Sequence, residues 1–409
     1  MKKLIFALTV SWCALPLLAV TPKVTNVSYV QNPNSRVVTV SYDIDRDAII
    51  TLDVLTNGVS IGQENIRHVT GCANRVVKAS EVCELQWNPV KDWEGRDITD
   101  NSVQMRVVAW DVTQPPDYMV VDLAVSNTVN YYTCEEQLPG GIGDARYRRT
   151  KLAMRRIPAA GTTSTIGSPV GEPGKDGNVA RELLREVQFT NDYYMAVFEL
   201  TRGQYYKITG NYKVGTWNTD SDFLPAVEGV RWGDLRGNDY LWPESGFSVA
   251  PGSLVGKLRG FSGITTFDMP TEARWEFACR AGTTTGLYTG MEFSEANLAN
   301  IAWSRFSGVT SEQPVGGKTP NGWGLYDMLG NVYERCLDLA EVSIPTPSAP
   351  LVDPFGAKAG APTVAAGMGP LRGGCWKEGE SRCAARGFYT RTNDDNEHRW
   401  GVRLMCQAW

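Results

Sequence analysis

Two cysteines, Cys375 and Cys383, stand in the segment RGGCWKEGESRCAARGF, residues 372–388, among arginines, glycines and aromatics. A thiolate is a nucleophile, a redox centre and a metal ligand, whereas two thiols joined as a disulfide are an inert staple. The spacing alone allows either. Other chemistry is scarce in this chain. It has two histidines, His68 and His398, far apart in sequence. A three-histidine iron or zinc site is therefore excluded, and a Ser-His-Asp triad has few candidates. His68 reads as a solvated loop residue.

The elements that position these groups begin with export. Lys2 and Lys3 precede the apolar run LIFALTVSWCALPLLA and the small Ala19, so residues 1–19 read as a signal peptide, too short for a membrane span. Cys13, inside that run, lacks the small residues that precede a lipidated cysteine. The expectation is a secreted, periplasmic or cell-surface protein without a membrane span. Of nine cysteines, eight then remain in a compartment where disulfides are the default. A net charge of −5 argues against a nucleic-acid partner. A chain of 409 residues exceeds one ordinary core and predicts two domains.

From residue 21 to 134 the chain alternates with period two. VTNVSYV, RVVTVSYDI, AIITLDVLTNG, SVQMRVVAWDV and YMVVDLAV read as strands, parted by turn signals at Asn32-Pro33-Asn34 and Asn57-Gly58. That predicts an antiparallel sandwich of immunoglobulin or fibronectin type, in which Cys72 and Cys83 bridge a short excursion. Residues 135–150, EEQLPGGIGDARYRRT, have the composition of a linker. Residues 151–409 change texture, with Gly/Pro/Asn-rich stretches between aromatic clusters. The clearest helix there is DMPTEARWEFACRAGTT, capped by Thr271, opened by Glu272 and closed by Gly282, with Trp275, Ala278 and Cys279 on one face.

In that second region IPAAGTTSTIGSP, NDYYMAVFELTRGQY, LPAVEGVRWGDLR, MPTEARWEFACRAG, PNGWGLYDMLGNVYERC, LRGGCW and RCAARGF…WGVRL follow in series. In order and spacing they resemble the formylglycine-generating enzyme, or sulfatase-modifying factor, family from about Lys151 to Cys406. The resemblance implies an α+β domain of C-type-lectin-like fold with little regular secondary structure. It also implies a chemistry: active members oxidise a sulfatase cysteine to formylglycine, using oxygen and a copper(I) ion on two thiolates. Here no cysteine stands between Trp376 and Arg382. Cys383 matches the family's structural cysteine, which implies a Cys279–Cys383 disulfide. Cys375 stands where the family has serine. Cys375 and Cys336 then form either a second bridge or, in an active enzyme, the copper pair; otherwise no catalytic residue is expected.

YDMLGNVYE resembles the family's calcium loop, which implies Ca²⁺ held by Asp327, Gly330, Val332 and Glu334. Asn300 and Ile301 resemble the start of a second calcium site whose other ligands are not found between Ser304 and Gln313. A groove is expected between the RGG turn and the loop YTRTNDDNEHRW, with Trp376, Arg386, Tyr389, Arg391, Asn393, Asp395 and Trp400 as contacts. The expected function is a non-catalytic, calcium-stabilised binding protein for a protein or glycan ligand. The alternative is an oxidase of exported sulfatases using Cu⁺.

Overall fold

The period-two runs of the N-terminal region form strands in the computed structural model. It describes residues 21–93, 102–175, 181–213, 220–237, 248–340, 349–354, 368–379, 381–390 and 399–407. In chain order the first strands are β1 (Val24–Gln31), β2 (Val38–Ile44), β3 (Ala48–Thr56), β4 (Val59–Ser60), β5 (Val69–Gly71), β6 (Val76–Val77), β7 (Cys83–Trp87) and β8 (Val103–Trp110). One sheet runs β1-β2-β7-β5; the other runs β4-β3-β6, with β8 also on β3. Val38, Val40, Leu52, Leu85, Trp87 and Val107, drawn from both sheets, close a single sandwich core. Asn57 and Gly58, at φ 50° and 79°, make the tight turn between β3 and β4. The Asn32 side chain accepts the Asn34 and Ser35 amides at 2.9 and 3.0 Å, turning the chain between β1 and β2. Cys72 and Cys83 form a disulfide, with Cα atoms 5.5 Å apart. One helical turn, α1 (Pro89–Asp92), follows β7.

The next two strands depart from the expected boundary. β9 (Tyr118–Asp122) and β10 (Val129–Tyr132) do not join the sandwich. They form the edge of a five-stranded sheet, β10-β9-β11-β14-β20, with β11 (Lys151–Ile157), β14 (Tyr193–Ala196) and β20 (Met405–Gln407). Tyr118, Met119, Val120 and Val121 are all buried, and β9 pairs along its whole length with β11 rather than with any sandwich strand. The unit boundary therefore falls in 111–117, not at 134. Residues 135–150 are not a linker either. They form 3₁₀ turns at Glu135–Gln137 and Ala145–Arg148, and Leu138 and Tyr147 are buried with Ala153, Val197 and Phe198. Glycine and charge resemble a linker in composition, but two apolar anchors bind this segment to the core.

The remaining strands are β12 (Thr163–Ile166), β13 (Arg185–Gln188), β15 (Tyr333–Arg335), β16 (Leu351–Val352), β17 (Met368–Arg372), β18 (Gly387–Thr390) and β19 (Trp400–Gly401). They make two small sheets, β12-β13-β16 and β18-β17-β15-β19. Between β14 and β15 lie α2 (Arg202–Thr209), α3 (Trp232–Arg236), α4 (Leu254–Ser262), α5 (Glu272–Arg280) and α6 (Glu295–Ile301). Short elements parted by irregular chain give the mixed α+β texture the sequence predicts. Among the described residues no helix is long and apolar enough to cross a membrane.

α5 starts where expected, with the Thr271 hydroxyl accepting the Arg274 amide. It differs in burial: all nine of its residues are buried, the charged ones included. A helix can bury Glu272, Arg274, Glu276 and Arg280 only if each meets a counter-charge. Those counter-charges build the site.

Candidate functional site

The RGG segment lies against α5. Arg372 ends β17 opposite Glu334 of β15. Gly373 and Gly374 follow at φ 86° and 76°, and a Cβ on Gly374 would come within 2.1 Å of the Ser381 hydroxyl. Glycine is required there so that 381–386 can fold back on the turn. The Arg372 guanidinium pairs with Glu276, lies 3.2 Å from Glu272, and donates to the carbonyls of Cys383 (3.1 Å) and Ala385 (2.8 Å). Arg386 clasps Glu272 with two bonds of 2.5 and 2.6 Å, and Arg280 donates to Glu276 at 2.9 Å. Burial would raise the Glu276 carboxyl, but Arg372 and Arg280 outweigh it and hold the group down to about 2. Arg382 pairs with Glu172 and Glu182 at 2.6 and 3.0 Å. These arginines knit the turn to the core.

A second buried cluster lies behind β15. Glu334 accepts Arg403 Nε and Nη2 at 3.0 and 2.7 Å and the Trp275 indole at 2.5 Å. Glu199 accepts the Asn331 side chain at 2.6 Å and the Val332 amide at 3.1 Å. Asp327, itself at φ 53°, accepts the Gly316 amide at 2.6 Å through Oδ2, while its buried Oδ1 has no partner. Burial pushes the Asp327 carboxyl up to about 6. Burial, with Asp327 and Glu334 as like-charged neighbours, drives Glu199 well above the carboxylate range. Three carboxylates thus share the fully buried Arg403.

The cysteines separate into two kinds. Cys279 Sγ and Cys383 Sγ lie 3.6 Å apart, both fully buried. Cys336 and Cys375 have different partners, which lends no support to the second bridge or the copper pair. The Cys336 amide bonds to Pro370 at one end of the β15–β17 ladder, while the Trp376 amide bonds to Asn331 at the other. Cys375 thus lies beyond Arg372, past the Gly373–Gly374 turn, whereas Cys336 faces Pro370. Burial raises both thiols, Cys375 to about 11, which disfavours the thiolates that copper(I) needs.

The expected groove is only partly present. The cavity beside the RGG turn, lined by Glu182, Tyr333, Gly374 and Arg386 among others, is about 50 Å³, room for little more than a water. Arg386 is no ligand contact, since its side chain is committed to Glu272 and the Arg181 carbonyl. Trp376 and Trp400 are half-buried, with the Arg335 guanidinium 5.0 Å over the Trp400 ring. Tyr389 pairs with Gly369 through its backbone, and Arg391, Asn393 and Asp395 lie outside the described residues. At the second calcium site, Asn300 is exposed on the last turn of α6 and the Ile301 carbonyl accepts the Tyr288 hydroxyl at 3.0 Å. No cluster of three carboxylate, histidine or cysteine ligand atoms occurs there among the described residues. Sequence reasoning missed Glu199 and Arg403. Each is a charge inside an apolar run, YYMAVFEL and WGVRL, and that pattern was the available signal.

The family model described as "Sulfatase-modifying factor enzyme 1-like domain" matches residues 159–408, more than half of the chain. The chain belongs to this family. The formylglycine-generating enzyme of Streptomyces coelicolor is 32% identical over 214 residues, covering 46% of this chain and 65% of the relative. A serine/threonine-protein kinase pkn1 of Chlamydia pneumoniae is 38% identical over 125 residues, 29% of this chain and 18% of the kinase. The chain thus spans less than two thirds of either relative. Among solved structures, PvdO from Pseudomonas aeruginosa is similar at 22% identity and a TM-score of 0.48, over 62% of this chain and 94% of that one. The sulfatase-modifying-factor match excludes the whole sandwich, and it also begins after β9 and β10.

Proposed function

We propose that this family member is an exported, non-catalytic binding protein, stabilised by calcium and recognising a protein or glycan. The observation that carries the non-catalytic reading is the placement of Cys336 opposite Pro370 and of Cys375 past the Gly373–Gly374 turn that ends the β15–β17 ladder. The oxidase chemistry implied by the resemblance needs two neighbouring thiolates. Cys279 and Cys383, the sulfurs that do lie close, are proposed as a structural disulfide. Export is supported by the basic-then-apolar residues 1–19 and by the Cys72–Cys83 bridge. The rival reading, an oxidase acting on a sulfatase cysteine, is favoured by the likeness to the Streptomyces coelicolor enzyme. Incubating a sulfatase-type cysteine peptide with the protein, copper and oxygen separates the two. The expected mass spectrum shows unaltered cysteine; conversion to the aldehyde, lost in Cys375→Ser, would overturn the proposal.

Calcium has its support at Asp327, whose Oδ1 is buried without a partner, and in the excess of carboxylates around Arg403. Glu334 fits poorly as a ligand because Arg403 and Trp275 already occupy its oxygens. Asp327 and the Gly330 and Val332 carbonyls would hold the ion, which would supply positive charge and no reactive group. A pH test follows. With its folded pKa raised to about 6, Asp327 contributes stability that is complete below its unfolded value and lost as pH rises through 6. In chelator the melting temperature should therefore fall between about pH 5 and about pH 7.5. Glu228 and Asp338, both pushed up to about 7 by burial, add to the same slope. Calcium should restore part of the loss at the higher pH, and Asp327→Asn should abolish that calcium-dependent part. Identical curves with calcium and with chelator would end the calcium proposal.

A further inference from the structure

A cleft of about 830 Å³ opens between the sandwich and residues 136–141 of the second unit. It lies wholly outside the family match, which begins at residue 159. Its volume suits a small organic ligand, and the boundary between two folded units is a frequent place for such a site. The walls are fixed. Buried Gln137 donates to the Ile66 carbonyl at 3.1 Å and to the Gln63 side chain at 3.3 Å, and the Thr133 hydroxyl meets the same Gln63 oxygen at 3.0 Å.

The sandwich wall carries Arg67, His68 and Lys91, and the facing segment carries Glu136. Behind the cationic wall lies Asp92, its side chain fully buried. It accepts the amides of Arg67 and His68 at 2.9 and 2.8 Å, the Trp87 indole at 3.0 Å and His68 Nδ1 at 2.6 Å. Three of those bonds fall on Oδ2, Arg67 Nε lies 3.8 Å from Oδ1, and the His68 contact fixes the imidazole, leaving Nε2 as the ring atom for a ligand. Asn88, also on the wall, holds a buried Oδ1 with no partner. An unmatched buried acceptor in a cleft calls for an N–H or O–H donor.

We propose that this cleft binds a ligand bearing both a carboxylate and an N–H or O–H donor, the chemistry of an acidic amino acid or an acidic peptide. Arg67 and Lys91 take the carboxylate, Asn88 accepts the donor, and His68 Nε2 makes a further hydrogen bond. The site is separate from the RGG turn, so its success or failure does not depend on whether the family domain is catalytic.

Titration calorimetry tests it on the full chain with two probes, N-acetylglutamate and an end-capped glutamate-rich hexapeptide. At least one should bind, and the double variant Arg67→Ala/Lys91→Ala should weaken it by about tenfold or more with the melting temperature unchanged. Both side chains are solvent-accessible, so the variant should fold. Binding of the free acid alone identifies a small-molecule site, and binding of the peptide alone identifies a polypeptide site. Failure of both probes up to about millimolar concentration, or equal binding by the double variant, overturns the proposal.

Discussion

Replacing Arg403 with methionine should cost the C-terminal unit on the order of 3–5 kcal/mol, read as a lowered urea midpoint near neutral pH. Arg403 is fully buried and donates to Glu334 through two nitrogens. It also donates to the carbonyls of Ala196 and Val197, both at 3.0 Å, and of Tyr326 at 2.8 Å. Methionine fills much of the volume but leaves Glu334 beside Glu199 and Asp327 without a cation, and takes a donor from three carbonyls, of which Val197 keeps the Tyr326 amide. Part of the loss should be recovered in Arg403→Met/Glu334→Gln, because the second change removes the stranded charge. A double-mutant cycle gives the coupling. An effect below about 1 kcal/mol, or purely additive variants, would mean that the carboxylates carry protons and that Arg403 is replaceable packing.

The second large effect concerns Cys279 and Cys383. Oxidation of this pair, with both thiol protons and two electrons passing to an external oxidant, should add about 5 kcal/mol, since it would cross-link positions separated by 104 residues. Their sulfurs already lie 3.6 Å apart between α5 and the segment after the RGG turn. The measurement belongs in a Cys72→Ser/Cys83→Ser background, so that a reductant acts on one bridge. The oxidised protein should melt well above the reduced one, and non-reduced digestion should yield the cross-linked peptides. Recovery of both residues as alkylatable thiols after denaturation without reductant would refute the bridge.

Where local physics acts alone, the chain was readable. The alternating runs became β1, β2, β3 and β8, and Thr271 caps α5 as its side chain and position require. The errors have a shared cause, which is tertiary context. YMVVDLAV looks like any strand, and only its pairing with β10 and β11 shows that it belongs to another sheet. Arg386 looks like a surface contact because a guanidinium is usually solvated; Glu272, more than a hundred positions away, makes it a core residue. Cys336 and Cys375 looked like partners because both belong to blocks around the turn, yet β-register, invisible in spacing, sets Cys336 opposite Pro370. Leu138 and Tyr147 carried the signal against a linker, two apolar anchors in a segment otherwise polar.

The placement of β9 and β10 bears on how this protein could have been assembled by recombination. A gene segment beginning at residue 159 would encode what the family match recognises, but it would omit both strands and the whole of β11. The sheet inherited by the new host would then present the bare flank of β14, whose unpaired amides invite a stray strand. A transferable segment has to start in 111–117, upstream of Tyr118, so the portable unit of inheritance is longer than the recognisable one.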